Sequence, residues 1–237
     1  MDTLFTGLTS AEAGIILLSL RVALVSALCS LPLAFAVAYL LARTDFIGKT
    51  ALDVLVHLPL VLPPVVIGFV LLLLFGRRGV VGAWLHDWFG IVIAFRWTGA
   101  ALASAIMGFP LMVRAMRLSL TAIDRRLEIA AGTLGAGRWR VLASITLPLA
   151  LPGIASGALL SFARSLGEFG ATITFVSNIP GQTETLPLAI YALTQTPGAD
   201  WAALRLSLYA VLLSVLALVA SEWLARRYRR RFGAFAQ

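Results

Sequence analysis

Arg164 and Glu168 stand four residues apart in a stretch that is otherwise apolar or hydroxyl-bearing, with Ser165, Phe169, Thr172 and Thr174 around them. On a helix this spacing puts guanidinium and carboxylate on one face. Two chemistries suit the arrangement: the guanidinium can meet an anion in transit, or the two charges can pair and lock this segment to a neighbour. The second is favoured, because an anion site wants a surplus cation and here the charges cancel. Reactive chemistry is poorly supplied. Glu168 has no acidic or histidine partner near it in sequence, and His57 and His86 have no metal-ligand company. The single cysteine, Cys29, rules out an intrachain disulfide or a multi-cysteine metal site and reads as a small packing residue. His57, beside prolines, reads as a hydrogen-bonded packing residue, and His86 as a solvated one. Gly48-Lys49-Thr50 has the tail of a phosphate loop, but Arg43 takes the place of the earlier glycine. Gly135-Ala136-Gly137 lacks the third glycine of a dinucleotide fingerprint. No ATP site and no cofactor is expected in this chain.

The elements that position these residues follow from composition. Of the 237 residues 60% are hydrophobic and 13% charged, and the mean hydropathy is +0.94. A soluble domain carries about 25% charged residues, so the solvent here is lipid. The formal charge of +8 sits in short arginine runs between apolar stretches and at the C-terminus, which suits interfacial anchoring and not nucleic-acid binding. Asp2 and the length of the first apolar run are not those of a cleaved signal, so the first span is expected to be retained.

Crossing a bilayer takes about 20 helical residues, and five stretches are long enough: about 13–41, 51–75, 97–120, 145–176 and 201–224. The expected fold is a single all-α integral membrane domain over 1–237. Basic residues in the first and third loops and at 226–231 put those segments in the cytoplasm and the N-terminus outside. Trp84, Trp88, Phe89 and Trp97 crowd the second loop, at the outer headgroup layer, where Arg77 and Arg78 can attract an oxyanion or acidic patches on another protein, or be only solvated. Pro32, Pro59, Pro63, Pro64 and Pro110 fall inside spans, which must bend or break there; packing kinks and gating are both open readings. As one helix, 145–176 would run roughly 48 Å, against a hydrocarbon core of about 30 Å, so it is expected to be interrupted.

Between the third and fourth spans, the loop 124–144 holds a short amphipathic pattern. Asp124 can cap a helix that carries Leu127, Ala130, Ala131 and Leu134 at three- and four-residue spacing, and Gly135 and Gly137 can end it with a left-handed turn. Its two alanines offer low relief to a groove on another protein. Arg138, Trp139 and Arg140 suit the junction with the headgroups.

This spacing resembles the EAA loop of ABC importer permeases: two alanines, a glycine four residues on, then Ile-x-Leu-Pro. Ala131, Gly135, Ile145, Leu147 and Pro148 match in register. The acid differs: Ile129 occupies its place and Glu128 stands one residue earlier. The resemblance implies a type I ABC importer permease bundle of about five spans with a cytoplasmic coupling helix. Its ATPase-coupling residues would be Glu128, Ala130, Ala131, Gly135, Ala136, Ile145, Leu147 and Pro148. Over nearly its whole length the chain further resembles the molybdate importer permeases, in the stretches from His57 to Val66, Phe75 to Gly79, Phe109 to Ala115 and Arg164 to Gln182. Sulfate permeases share the Gly-Glu-aromatic-Gly segment and the loop.

The resemblance implies a homodimer in the bacterial inner membrane that imports molybdate or tungstate. Two cytoplasmic ABC ATPase subunits would carry ATP and Mg, and a periplasmic oxyanion-binding protein would deliver cargo. The candidate pathway or gate is Pro63, Pro64, Arg164, Ser165, Glu168, Phe169, Thr172 and Thr174. A secondary transporter would need its own coupling site and usually internal repeats, and five spans do not divide evenly. A membrane-embedded enzyme would need a nucleophile, a metal cluster or paired acids.

Overall fold

The computed structural model describes residues 9–232, except the side chains of 221, 222 and 224–232. Asp2 and the side chains of the C-terminal arginines, used above for retention and orientation, lie outside the described residues. All regular structure among the described residues is helical.

Helix α1 (Ser10–Arg43) opens on a capping box in which Thr9 and Glu12 satisfy each other's backbone N–H. The same carboxylate accepts from Arg205 Nε at 2.8 Å, tying α1 to the last helix, α11 (Asp200–Phe232). Helix α5 (Trp97–Ala122) is the centre of the bundle: 61% of its most apolar window is buried, against 17% for α11. It packs chiefly on α1 and on α8 (Leu147–Leu166). The α5–α8 contact is close because small residues face each other. A Cβ on Gly153 would fall 2.2 Å from Ser119 Cβ, and one on Gly157 3.0 Å from Met112 O. In lipid, where burial of apolar side chains drives little, such close backbone approach supplies the packing energy.

The second apolar stretch is two helices, α2 (Lys49–Val61) and α3 (Pro64–Phe75), bent by 112°. Neither Pro63 nor Pro64 has an N–H to give, and Leu62, ahead of a proline, takes an extended backbone with ψ 143°. Pro64 then opens α3 as its first residue, where the missing donor costs nothing. Among the described residues four helices are long and apolar enough to cross a membrane, five if the bent pair counts as one span.

A short helix, α4 (Val80–Phe89), carries exposed Trp84, Trp88 and Phe89. After α5 come α6 (Arg125–Thr133) and α7 (Arg138–Val141), which runs through a wide π turn at Leu142–Thr146 into α8. The fourth apolar helix thus starts at Arg138, ahead of the expected 145, and ends at Leu166. The chain breaks at 167–169 and resumes as α9 (Gly170–Val176), before α10 (Leu186–Thr194). Ser19 of α1 anchors α10 by accepting from Leu186 N at 2.7 Å.

Two expectations on minor residues need correction. Cys29 is exposed on the apolar flank of α1, not packed inside, because the inward face there belongs to Ser26, Ala27 and Ser30. His86 is only partly solvated: it is half-buried with its Nδ1 shielded, since α4 folds back so closely that a Cβ on Gly82 would meet the carbonyls of Phe75 and Gly76.

Candidate coupling surface and gate

Helix α6 begins where Asp124 Oδ1 accepts from Arg126 N at 2.9 Å. It ends in a Schellman turn: Ala136 N bonds Ala131 O at 3.0 Å, and Gly135 N bonds Gly132 O at 3.0 Å. Gly135 supplies the left-handed residue, at φ +83°. Gly137, expected to share that task, has φ −66° and starts α7 instead. None of α6 is buried. Leu127, Ile129 and Ala130 are exposed and Ala131 is half-buried, with Leu134 at 88% exposure just beyond.

The opposite side of α6 is fastened to the bundle by Glu128. Its Oε1 accepts from Arg43 Nη2 at 2.9 Å and from Thr146 Oγ1 at 2.8 Å. Arg125 adds a bond to Ala42 O at 3.3 Å. One residue along a helix is a rotation of about 100°. At 128 the acid therefore points at the ends of α1 and α8, whereas position 129 points outward, where Ile129 is 65% exposed. The π turn also matters here. Pro148 has no N–H and its ring crowds the carbonyl four residues back; the turn ahead widens, with Leu147 N on Leu142 O. Ile145 and Leu147 are half-exposed on this turn, and Thr146 is turned inward onto Glu128.

The second site joins the two helix breaks. A Cβ on Gly170 would fall 2.7 Å from Pro64 Cβ, and one on Gly68 2.5 Å from Ala171 O and 2.9 Å from Thr174 Cβ. The α2–α3 break and the α8–α9 break thus lie against each other through α3 and α9. Arg164 Nη1 sits 2.7 Å from Glu168 Oε2, and Glu168 Oε1 accepts from Ala171 N at 2.8 Å. The two charges do pair, but the pair bridges the two halves of its own broken segment and does not lock it to a neighbouring span as anticipated. Ser165 does reach neighbours: its Oγ is 2.8 Å from Ser26 Oγ of α1 and donates to Ser104 O of α5 at 3.4 Å.

Thr172 Oγ1 donates to Phe169 O at 2.8 Å, and Thr174 Oγ1 to Gly170 O at 3.0 Å, so these hydroxyls are spent on their own helix. The Phe169 ring lies 5.0 Å from that of Tyr191, at the wall of an apolar cavity of about 420 Å³.

One polar cluster brings His57 together with two residues, Asp53 and Arg117, that were not singled out from sequence. Arg117 Nη1 of α5 reaches both carboxylate oxygens of Asp53 on α2, at 2.9 and 3.0 Å. His57 Nδ1 lies 2.8 Å from Asp53 O and 3.2 Å from Oδ1, which gives it the hydrogen-bonded packing role expected of it. The available signal was the four-residue spacing of Asp53 and His57 and the arginines inside an apolar span.

A bundle of apolar helices, two of its segments broken and facing, with an exposed short helix held at one end, is the architecture of a transport permease. The chain belongs to the family of binding-protein-dependent transport system inner membrane components, whose sequence profile matches residues 30–230. It is 59% identical to the molybdenum transport system permease protein ModB of Escherichia coli (strain K12), over 95% of this chain and 99% of that one. It is 58% identical to ModB of Haemophilus influenzae, over 94% and 97%. The sulfate transport system permease protein CysT of Escherichia coli is 38% identical, over 82% and 69%.

Among solved structures, a bacterial alginate ABC transporter in complex with pentasaccharide-bound periplasmic protein superposes with a TM-score of 0.73, at 19% identity, over 95% of this chain and 81% of that one. The inward-facing MetNI methionine ABC transporter gives 0.68, at 16%, over 93% and 99%. The fold is that of a type I ABC importer permease.

Proposed function

We propose that the chain is the membrane subunit of an ATP-driven molybdate importer in the bacterial inner membrane, working as a homodimer and also accepting tungstate. The observation that carries this reading is the 59% identity to a molybdenum permease over 99% of its length, against 38% over 69% for the sulfate permease. A periplasmic oxyanion-binding protein delivers the cargo. Two cytoplasmic ABC ATPase subunits hold ATP and Mg and dock on the exposed face of α6, around Ile129, Ala130, Ala131 and Leu134. Closure of the ATPases moves α6. Glu128 transmits that movement to Arg43 at the end of α1 and to Thr146 at the start of α8, and the bundle alternates between inward- and outward-open states. The facing breaks at Pro63-Pro64 and 167–169 form the gate, held by the Arg164–Glu168 bridge.

The test is radiolabelled molybdate uptake in a strain lacking only this chain, with and without the chain restored. Restored uptake that excess tungstate suppresses and excess sulfate does not is the expected result. Suppression by sulfate at equal concentration would move the chain to the sulfate class.

Gly135→Val tests the coupling helix separately. A β-branched residue in left-handed backbone costs about 1–2 kcal/mol and loosens the turn that ends α6. Uptake is expected to fall severalfold while the assembled complex still hydrolyses ATP. Uptake at the unmodified rate would remove the turn from the coupling path.

A further inference from the structure

Beside the Asp53–Arg117 pair lies a cavity of about 550 Å³, between α2 and α5, walled by Asp53, His57, Arg114, Arg117 and Thr121 among others. Its charges do not cancel. Asp53 is fully engaged: both its oxygens hold Arg117, and His57 leans on the same group. Arg114, three residues before Arg117 on the same face of α5, is exposed and has no ion-pair or hydrogen-bond partner among the described residues. The cavity therefore carries one surplus positive charge.

Its depth makes that charge expensive without a purpose. Arg114 lies eight residues before the end of α5 at Ala122, roughly 12 Å along the axis. Asp53 lies four residues inside α2, at the same end of the bundle as α6. Charged side chains at such depth line water-filled paths or meet counter-charges, because hydrocarbon offers no solvation. By contrast, Arg164 has its whole charge answered by Glu168.

We propose that this cavity is a transient binding site for a tetrahedral oxyanion on the cytoplasmic half of the path, with Arg114 as the anion's contact. The assignment rests on the importer reading above. Asp53 sets the strength of the site. By neutralising Arg117 it leaves one free cation instead of two, so that a dianion is drawn in yet can leave, as conduction through successive sites requires. His57 bonds the backbone carbonyl of Asp53 at 2.8 Å and packs beside the carboxylate, which Arg117 itself holds through both oxygens. A lipid phosphate offers the same chemistry as a free oxyanion, and the test must separate the two.

The experiment uses the complete transporter in nanodiscs of zwitterionic lipid, with this chain's only cysteine removed by Cys29→Ser and a new one introduced by Leu118→Cys, one helical turn from Arg114, and labelling read on this chain alone. Labelling rates with an anionic and a cationic methanethiosulfonate are compared, each divided by the same reagent's rate with a free thiol in solution, because the attacking thiolate itself favours the cationic reagent. A surplus cation within about 6 Å should favour the anionic reagent at least about threefold. Arg114→Gln should bring the ratio close to one, and Arg114→Lys should keep it. Molybdate should slow labelling, and Asp53→Asn should lower the molybdate concentration needed. In proteoliposomes Arg114→Gln should cut molybdate uptake about tenfold, with ATP hydrolysis continuing.

Equal rates for both reagents without the Arg114 change would overturn the proposal. So would unchanged uptake in Arg114→Gln, or protection that follows added phosphatidylglycerol and ignores molybdate. A charge preference with molybdate protection, in a transporter that moves no oxyanion, would leave the site standing and sink the importer reading instead.

Discussion

Substituting Val for Gly68 is expected to remove most of the folded transporter from the membrane, and Ala at the same position to remove part of it. The reason is local and steric. A single carbon there would sit 2.5 Å from Ala171 O and 2.9 Å from Thr174 Cβ. The first of these is backbone, so no side-chain rotation relieves the clash; α3 and α9 must separate. Overpacking a tight contact costs typically about 1–3 kcal/mol, and here Val adds two methyl groups to a contact already too short. The two helix breaks would be pushed apart with it, since Gly170 meets Pro64 in the same interface. The measurement is the fraction of protein remaining monodisperse in detergent across a temperature series. Gly132→Ala is the control: it lies in α6 with nothing within 4 Å, and its stability should hold or rise slightly. A Gly68→Val protein that melts with the parent would show that α3 does not rest on α9.

Breaking the Arg164–Glu168 bridge is the second large effect, and its two halves should not be equal. The Glu168 side chain is 1% exposed and that of Arg164 29%. Arg164→Met leaves a buried carboxylate answered only by Ala171 N, whereas Glu168→Gln leaves a cation that can still turn toward water. Removing one partner of a buried pair costs about 3–5 kcal/mol. Partial exposure of Arg164 brings Glu168→Gln below that range, and Arg164→Met should fall within it. The double variant should cost less than the sum of the singles by at least about 1 kcal/mol. Additive losses in the melting series would mean that the two side chains do not act as a pair, and the bridge across the break would have to be abandoned.

These effects also mark how far the chain's own pattern could be read. Long apolar runs with few charges dictate helices in lipid, because an unpaired backbone has no partner there. Pro63-Pro64 dictates that a helix stops, because two consecutive donors are missing. Asp124 and Gly135 dictate where α6 begins and ends, through bonds spanning at most five residues. All of this is local chemistry, written along the chain at the scale of one helical turn; the importer permease itself was pointed to by the resemblance of the loop around Ala131 and Gly135 to the EAA motif.

The pairings that hold the site together are not written at that scale. Glu128 meets Arg43 from 85 positions away, Arg117 meets Asp53 from 64, and Ser165 meets Ser26 from 139. Periodicity says which face of a helix is apolar; it carries no address for the partner helix. The same holds for the angle at Pro63-Pro64. Two prolines end α2, but the 112° bend depends on how closely α3 can lie on α9, and so on Gly68 and Gly170. Arg164 drew notice because its partner is four residues away. Arg114 did not, because its lack of a partner becomes visible only when Asp53, from another helix, is seen to have chosen Arg117.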